Sequence, residues 1–241
     1  MQQKLLRKAG LLGIILSAVA VFLVGCVDEP TQPTPPKMKS TVRWVHANAD
    51  LPAVDLYVDG DKMSEFTGKS FKDVSTYNEN VNAGIRYLRL VPAGANDTAQ
   101  AIYRKQVNFR SFMKTTVVFY SNAGSPDVLV TQERFTYADE TKALGDTAAS
   151  VKLVNVNTSD ESITLVKDDV SGSTLVGPVD KYTLSSYTML RIGAMKMYIL
   201  KGDGTEMINF DFTLQAKTRY SFILVGDLQS PVLLPLIDDA P

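Results

Sequence analysis

The sequence predicts an all-β protein: two tandem, immunoglobulin-like antiparallel β-sandwich domains behind an export signal and a proline-rich tether. Three observations carry that expectation. From Thr41 onward, short alternating runs rich in Val, Ile, Tyr, Phe and Thr are separated by Gly, Asn, Asp and Pro, and no stretch has convincing helical periodicity. Segments from the first half return in the same order in the second. The 241 residues, 45% hydrophobic and 21% charged, have a globular composition and room for two domains of ordinary size.

In chain order, residues 1–25 come first. Lys4, Arg7 and Lys8 precede an apolar run from Leu11 to Val24, broken only by Gly13 and Ser17. Its 14 residues fall short of the ~20 needed to cross a bilayer as a helix, and the basic flank fits a secretory signal peptide. The run ends in Leu23, Val24, Gly25 and Cys26, which resembles the bacterial lipobox. The resemblance implies that Cys26 is acylated, becomes the first mature residue, and makes the membrane a partner. Two or three acyl chains hold a protein stably where a single one does not. Val27 is not the Asp that retains many lipoproteins in the inner membrane, so the implied destination is the bacterial outer membrane, facing the periplasm or the cell surface. Asp28 and Glu29 are similar to surface-export signals of some Bacteroidetes lipoproteins.

Residues 26–40 hold Cys26 and a tether with Pro30, Pro33, Pro35 and Pro36, no aromatic residue and no apolar period. Polyproline-like chain extends ~3.1 Å per residue, so the segment is expected to be able to hold the first domain about 40 Å from the lipid surface, standing it off the membrane.

The first sandwich is expected over 41–138, a polar linker over 139–147, and the second sandwich over 148–241. Strands recur about every ten residues, with turns such as Asp59-Gly60 and Asn122-Ala123-Gly124. VRWVHAN (42–48) returns as VKLVNVN (151–157), Lys114-Thr115 as Lys217-Thr218, and SPDVLV (125–130) as SPVLLP (230–235). Copies of this length suit seven-stranded sandwiches. The segment VRWVHANADLPAVDLYVDG resembles the opening of the DUF4397 family of exported bacterial domains of unknown function. Val42, His46, Ala47, Asp50, Pro52, Val54, Asp55, Tyr57, Val58, Asp59 and Gly60 fall in family positions. The second copy has Asn155 in place of the His and lacks the proline and the Asp-Gly turn. The resemblance implies fold and compartment and no activity.

Composition excludes several chemistries. With the three signal-segment cations set aside, 22 bases face 26 acids, a net of −4 that gives nucleic acid nothing to bind. One Cys and one His offer neither an internal disulfide nor a Cys/His metal centre. Asp55, Tyr57, Asp59 and Gly60 superficially follow a calcium loop, but Tyr57 and Phe66 occupy ligand places, so strand alternation makes Asp55 and Asp59 a solvated face instead. His46 lacks a nucleophile motif and reads as a packed strand-end residue. The aromatics Tyr182, Tyr187, Tyr198, Phe210, Phe212 and Tyr220 read as core or cross-strand packing. The candidate ligand-contact loop is the one after the first strand, with His46, Asn48 and Asp50; no catalytic residue, metal or cofactor is expected.

The functional expectation is a non-enzymatic, lipid-anchored envelope protein whose modules serve binding, adhesion or assembly spacing, with an envelope protein or glycan as partner. The alternatives are a carbohydrate-binding lipoprotein of a glycan-uptake system and, less favoured, an envelope hydrolase.

Overall fold

The structure is a computed structural model and describes residues 37–95, 98–134, 145–159, 161–227 and 229–240. Leu23, Val24, Gly25 and Cys26, the rest of the signal segment, most of the tether and the greater part of the 139–147 linker lie outside the described residues.

The first set of strands is β1 (Lys39–His46), β2 (Val54–Val58), β3 (Asp61–Lys62), β4 (Asn78–Asn82), β5 (Gly84–Pro92), β6 (Tyr103–Phe109), β7 (Lys114–Asn122) and β8 (Ser125–Glu133). They form two sheets, β4-β1-β7-β8 and β3-β2-β5-β6, facing across a core of Trp44, Leu56, Phe66, Leu88, Phe109 and Phe119. Trp44 stacks on Phe119 and meets Phe109 edge-on, with centroids 6.2 and 5.8 Å apart.

The second set is β9 (Ala148–Asn155), β10 (Ile163–Lys167), β11 (Thr174–Val179), β12 (Thr183–Leu184), β13 (Thr188–Arg191), β14 (Gly193–Lys201), β15 (Glu206–Leu214), β16 (Arg219–Val225) and β17 (Val232–Asp239). Its sheets are β12-β9-β16-β17, with β13 also on β9, and β11-β10-β14-β15. Here Phe210, Phe212, Tyr220 and Phe222 build an edge-to-face aromatic core with Leu153, Leu165 and Ile199.

Each sandwich therefore has eight strand positions rather than seven, and each inner sheet contains one parallel pair, β1 with β7 and β9 with β16. The parallel pairs arise because β1 and β9 leave for the facing sheet at their far ends, while β7 and β16 return from it at the near end. Both members thus run from one end, here termed the base, toward the other, the loop end.

The backbone carries the repeat more clearly than the side chains do. Among the described residues, six of the seven non-glycine residues with positive φ form three equivalent pairs: Asp59 with Asp168, Lys72 with Tyr182, and Phe112 with Lys217. Their hydrogen bonds match as well. The N–H of Lys72 donates to His46 O and that of Tyr182 to Asn155 O, both at 2.7 Å. Two details of the sequence-based repeat change. Thr41 pairs with Lys114 and Ser150 with Arg219, so Lys114 corresponds to Arg219 and the Lys-Thr echo is two residues out of register. The second copy also keeps the sharp turn after its second strand, with Asp168 taking the conformation of Asp59 and no glycine following it.

From Met38 onward the chain is one compact unit, because the two inner sheets pack face to face. Val45, Ala47, Val118 and Tyr120 meet Val154, Val156, Ile223 and Val225 in a third apolar layer. Strands β1, β7, β9 and β16 are thereby buried on both faces, which explains why SFILV and VVFY read as continuous rather than alternating apolar runs. Near the base a polar girdle ties the sheets together. Buried Arg43 pairs with buried Asp238, which also accepts from Ser221 Oγ and Tyr187 Oη; reciprocally, Lys152 of the second sandwich reaches Glu133 of the first at 3.0 Å. Arg43 lies 4.6 Å above the Tyr77 ring, and Lys152 lies 4.7 Å above Tyr187, its equivalent. Burial holds the Tyr77 hydroxyl up, at about 12, and pushes Tyr187 further in the same direction, helped by the Asp238 carboxylate; both stay protonated.

Candidate functional site

The loop after β1 begins with two residues that solvent does not reach. His46 alternates with Val42 and Trp44 and is 0% exposed, closing the first core at the loop end. Its backbone N–H donates to Asp73 O at 2.9 Å, and neither ring nitrogen has a hydrogen-bond partner. Burial lowers its pKa, against weaker upward pulls from the Pro52 and His46 carbonyls and the Asp73 carboxylate, so the ring is neutral at neutral pH. Asn48 is 1% exposed. Its amide donates to Tyr120 O at 3.2 Å and its oxygen accepts the Asp50 N–H at 2.9 Å, an Asx turn that aims the chain back across the sandwich. Asn157 makes the same turn toward Ser159 in the second copy, at 2.7 Å. Of the three candidate contact residues, then, His46 and Asn48 shape the loop from inside, and Asp50 reaches the surface.

Asp50 sits where the two sandwiches meet. Its Oδ2 accepts from Ser121 Oγ at 2.9 Å, and the Ser121 carbonyl accepts from Tyr182 Oη of the second sandwich at 2.9 Å. Tyr182 also packs on Tyr120 with centroids 4.6 Å apart. Ala47, Ala49, Asp50 and Phe71 form one wall of a cleft of about 130 Å³, and Thr158, Gly226, Asp227 and Ser230 form the other. The far wall depends on Gly226. At φ +88° it turns the chain so tightly that a Cβ would lie 2.5 Å from Ser230 O. Asp227 then caps its own turn, accepting the N–H groups of Gln229 and Ser230 at 2.9 and 2.7 Å. The cleft is thus lined by two carboxylates, a threonine hydroxyl that donates to Gly226 O at 3.3 Å, and an aromatic edge, from loops of two domains. Among the described residues, no group of three or more His, Cys, Asp or Glu side chains comes together as a metal site. Sequence reasoning found the near wall and missed the far one, although Gly226-Asp227 is itself a turn signal at the end of a predicted strand.

The expectation for the second strand needs correction. Asp55 is 0% exposed rather than part of a solvated face, and Tyr57 is buried too. The segment after β3 folds back so that Lys69 bridges to Val54, and the turn after β5 closes the other side. Asp55 accepts from Gly68 N at 2.7 Å and Gly94 N at 3.2 Å, and pairs with Lys62 at 2.7 Å. Burial pulls its pKa upward, but the bonds from Lys62, Gly68 and Gly94 outweigh that and hold the carboxyl below the usual range. Asp59 does face outward, bonded to Arg86 and to the Tyr87 N–H at 2.9 Å each. Of the second-copy aromatics, Phe210, Phe212 and Tyr220 pack in the core, and Tyr182 and Tyr187 at the junction.

Fold and site define a class: an all-β protein of two docked β-sandwiches. The family model described as "Domain of unknown function (DUF4397)" matches residues 40–166, more than half of the chain, and the protein belongs to this family. The match runs from β1 through β10, so it takes in all of the first sandwich and the opening strands of the second. No curated protein matches the chain. Among solved structures, a carbohydrate-binding module from Eubacterium rectale Amy13K, in complex with maltoheptaose, is 12% identical, covers 85% of this chain and 98% of its own, and superposes with a TM-score of 0.27. A proposed cell adhesion protein of Bacteroides uniformis is 8% identical, with coverage of 86% and 98% and a TM-score of 0.25. Likeness at this level transfers no function.

Proposed function

We propose that this is a non-enzymatic lipoprotein of the bacterial cell envelope, exported, acylated at Cys26 and carried on the outer membrane, that binds an envelope partner or glycan through its loop end. One observation carries the reading: an apolar layer fixes two sandwiches side by side so that loops from both form a single cleft around Asp50 and Asp227. Docking of this extent serves no purpose in a flexible spacer, whereas it pre-organises a recognition surface. The lipobox-like LVGC and the proline-rich tether supply the anchor. The glycan-uptake alternative calls for coplanar exposed aromatics, but Tyr87 and Phe112, the aromatics most open to solvent among the described residues, sit on separate elements.

The test uses the full lipidated chain and an Asp50→Ala, Asp227→Ala variant on arrays of envelope glycans and purified outer-membrane components. Binding by the parent that the variant loses is the expected outcome. Turnover of any glycan, peptide or ester in a hydrolase panel, or binding unchanged in the variant, would overturn it.

A further inference from the structure

We propose that the base of the paired sandwiches is a membrane-contacting surface, seating the protein directly on the bilayer; this rests on the lipid-anchor reading above. Nine large apolar side chains are exposed among the described residues, and they are unevenly placed. Phe112, 77% exposed, stands at the tip of the β6–β7 turn, and its N–H donates to Lys39 O at 3.1 Å. Met38, 52% exposed, is thus its neighbour at the mouth of β1, and the Ala83 N–H of the β4–β5 turn closes on Met38 O at 2.9 Å. In the second sandwich Ile192 occupies the turn before β14, its N–H donating to Thr147 O at the mouth of β9, and Val170 lies in the β10–β11 turn at the same end. Ile85, Met189 and Ile237 lie within two residues of the base ends of their strands. Of the other two, Tyr87 is further along β5 and Ile102 is at the loop end.

Scattered exposed apolar residues are ordinary. Gathering seven of the nine at or near one end, in both domains, is not. Phe112 is the plainest case, because its ring stands open to solvent at the tip of a turn whose positive φ the backbone itself sets. The equivalent residue of the second sandwich is Lys217, at φ +57°. Phe112, Val170 and Ile192 on turns, with Met38 beside Phe112, suit the headgroup–acyl boundary, where apolar side chains bury a few ångströms deep.

The occupant follows from where the chain continues. β1 starts at the base, and Cys26 precedes Met38 by only a short tether, whose span of about 40 Å at full extension keeps the base within reach of the lipid that holds Cys26. Charge at the base is mixed: Lys37, Lys39, Arg110 and Arg191 stand among Asp239, paired with Lys114, Asp146, paired with Lys217, and the exposed Asp61, Asp168 and Asp169. Apolar insertion rather than attraction to anionic lipid therefore carries the contact, and salt leaves it in place.

The test places one reporter thiol at a time, since the only native cysteine is the acylated one. The full lipidated chain carrying Phe112→Cys, Ile192→Cys or Ile102→Cys is labelled with a polarity-sensitive fluorophore and reconstituted in phosphatidylcholine vesicles containing a nitroxide lipid. Emission at positions 112 and 192 is expected to shift to the blue and be quenched, at low and high salt alike, while position 102 stays water-exposed. Absence of quenching at 112 and 192 on vesicles that carry the protein, equal quenching at all three, or shielding that needs added envelope protein would overturn the proposal. Emission of buried Trp44 confirms folding of each variant, and Met38→Cys replaces Phe112→Cys should that one misfold. Failure of the anchor itself shows separately, as flotation absent in the parent or retained by Cys26→Ala, and takes this proposal with it.

Discussion

Arg43 and Asp238 are 195 residues apart in sequence, on different sandwiches, and each is almost fully buried. If the inner sheets dock as described, the two side chains are energetically coupled; if the sandwiches swing independently, they are not. Arg43→Met leaves the Asp238 carboxylate buried without its cation, and Asp238→Asn leaves the guanidinium facing an amide. Removing one partner of a buried ion pair costs about 3–5 kcal/mol. The asparagine still accepts from Ser221 and Tyr187, so its penalty belongs at the lower end of that range. The double variant buries no unpaired charge and should recover about 2–3 kcal/mol of the summed penalties. The assay is urea denaturation followed by Trp44 fluorescence, which reports the first core, and by far-ultraviolet circular dichroism, which reports both. Coincident transitions are expected in the parent. Additivity within about 0.5 kcal/mol, the behaviour of residues that do not touch, would refute the docked arrangement.

His46 is buried and neutral, with a pKa below its ordinary value of 6.5. The unfolded chain binds the proton first as pH falls, so stability from this group is complete above about 6.5 and declines below it, by up to about 1.4 kcal/mol per pH unit. His46→Asn, which borrows the second sandwich's Asn155, should abolish that slope between pH 6.5 and 5 in the same denaturation assay. Asp55 works in a lower window: its folded pKa is depressed, so its contribution is full above the unfolded carboxylate value near 4 and is lost as pH falls through the folded one. Asp55→Ala strands Lys62 and two backbone N–H groups and should cost about 3 kcal/mol at pH 7, read from the denaturation midpoint. Gly226→Ala forces its Cβ toward Ser230 O at positive φ, and a loss of about 1–3 kcal/mol is expected, together with weaker ligand binding at the cleft.

Much of this architecture can be read from particular residues. The alternation of Val54, Leu56 and Val58 places them in the core, and SPDVLV aligns in register with SPVLLP because both are outer-edge strands following equivalent turns. A further echo is easy to miss: Ser75-Thr76-Tyr77 returns as Ser185-Ser186-Tyr187, each first serine accepting a backbone N–H of the first strand at 3.0 Å. Burial of Asp55 could not be read from alternation, because period two assigns a face but not what a distant loop lays over it. The parallel pairing of β1 with β7 left no local trace either, being set by which sheet each strand departs from. The far wall of the cleft was hidden for a related reason: Asp50 and Asp227 meet only through the docking of two domains, and the apolar layer that docks them looks in sequence like ordinary core.

The most direct measurement is site-specific photocrosslinking in intact cells, with the photoreactive residue placed at Ala49 or Asp227 at the loop end, or at Phe112 at the base. Loop-end probes are expected to capture one and the same envelope protein or glycan, and the base probe to capture lipid. Capture of that partner from Phe112, with nothing captured from Ala49 and Asp227, would contradict the account.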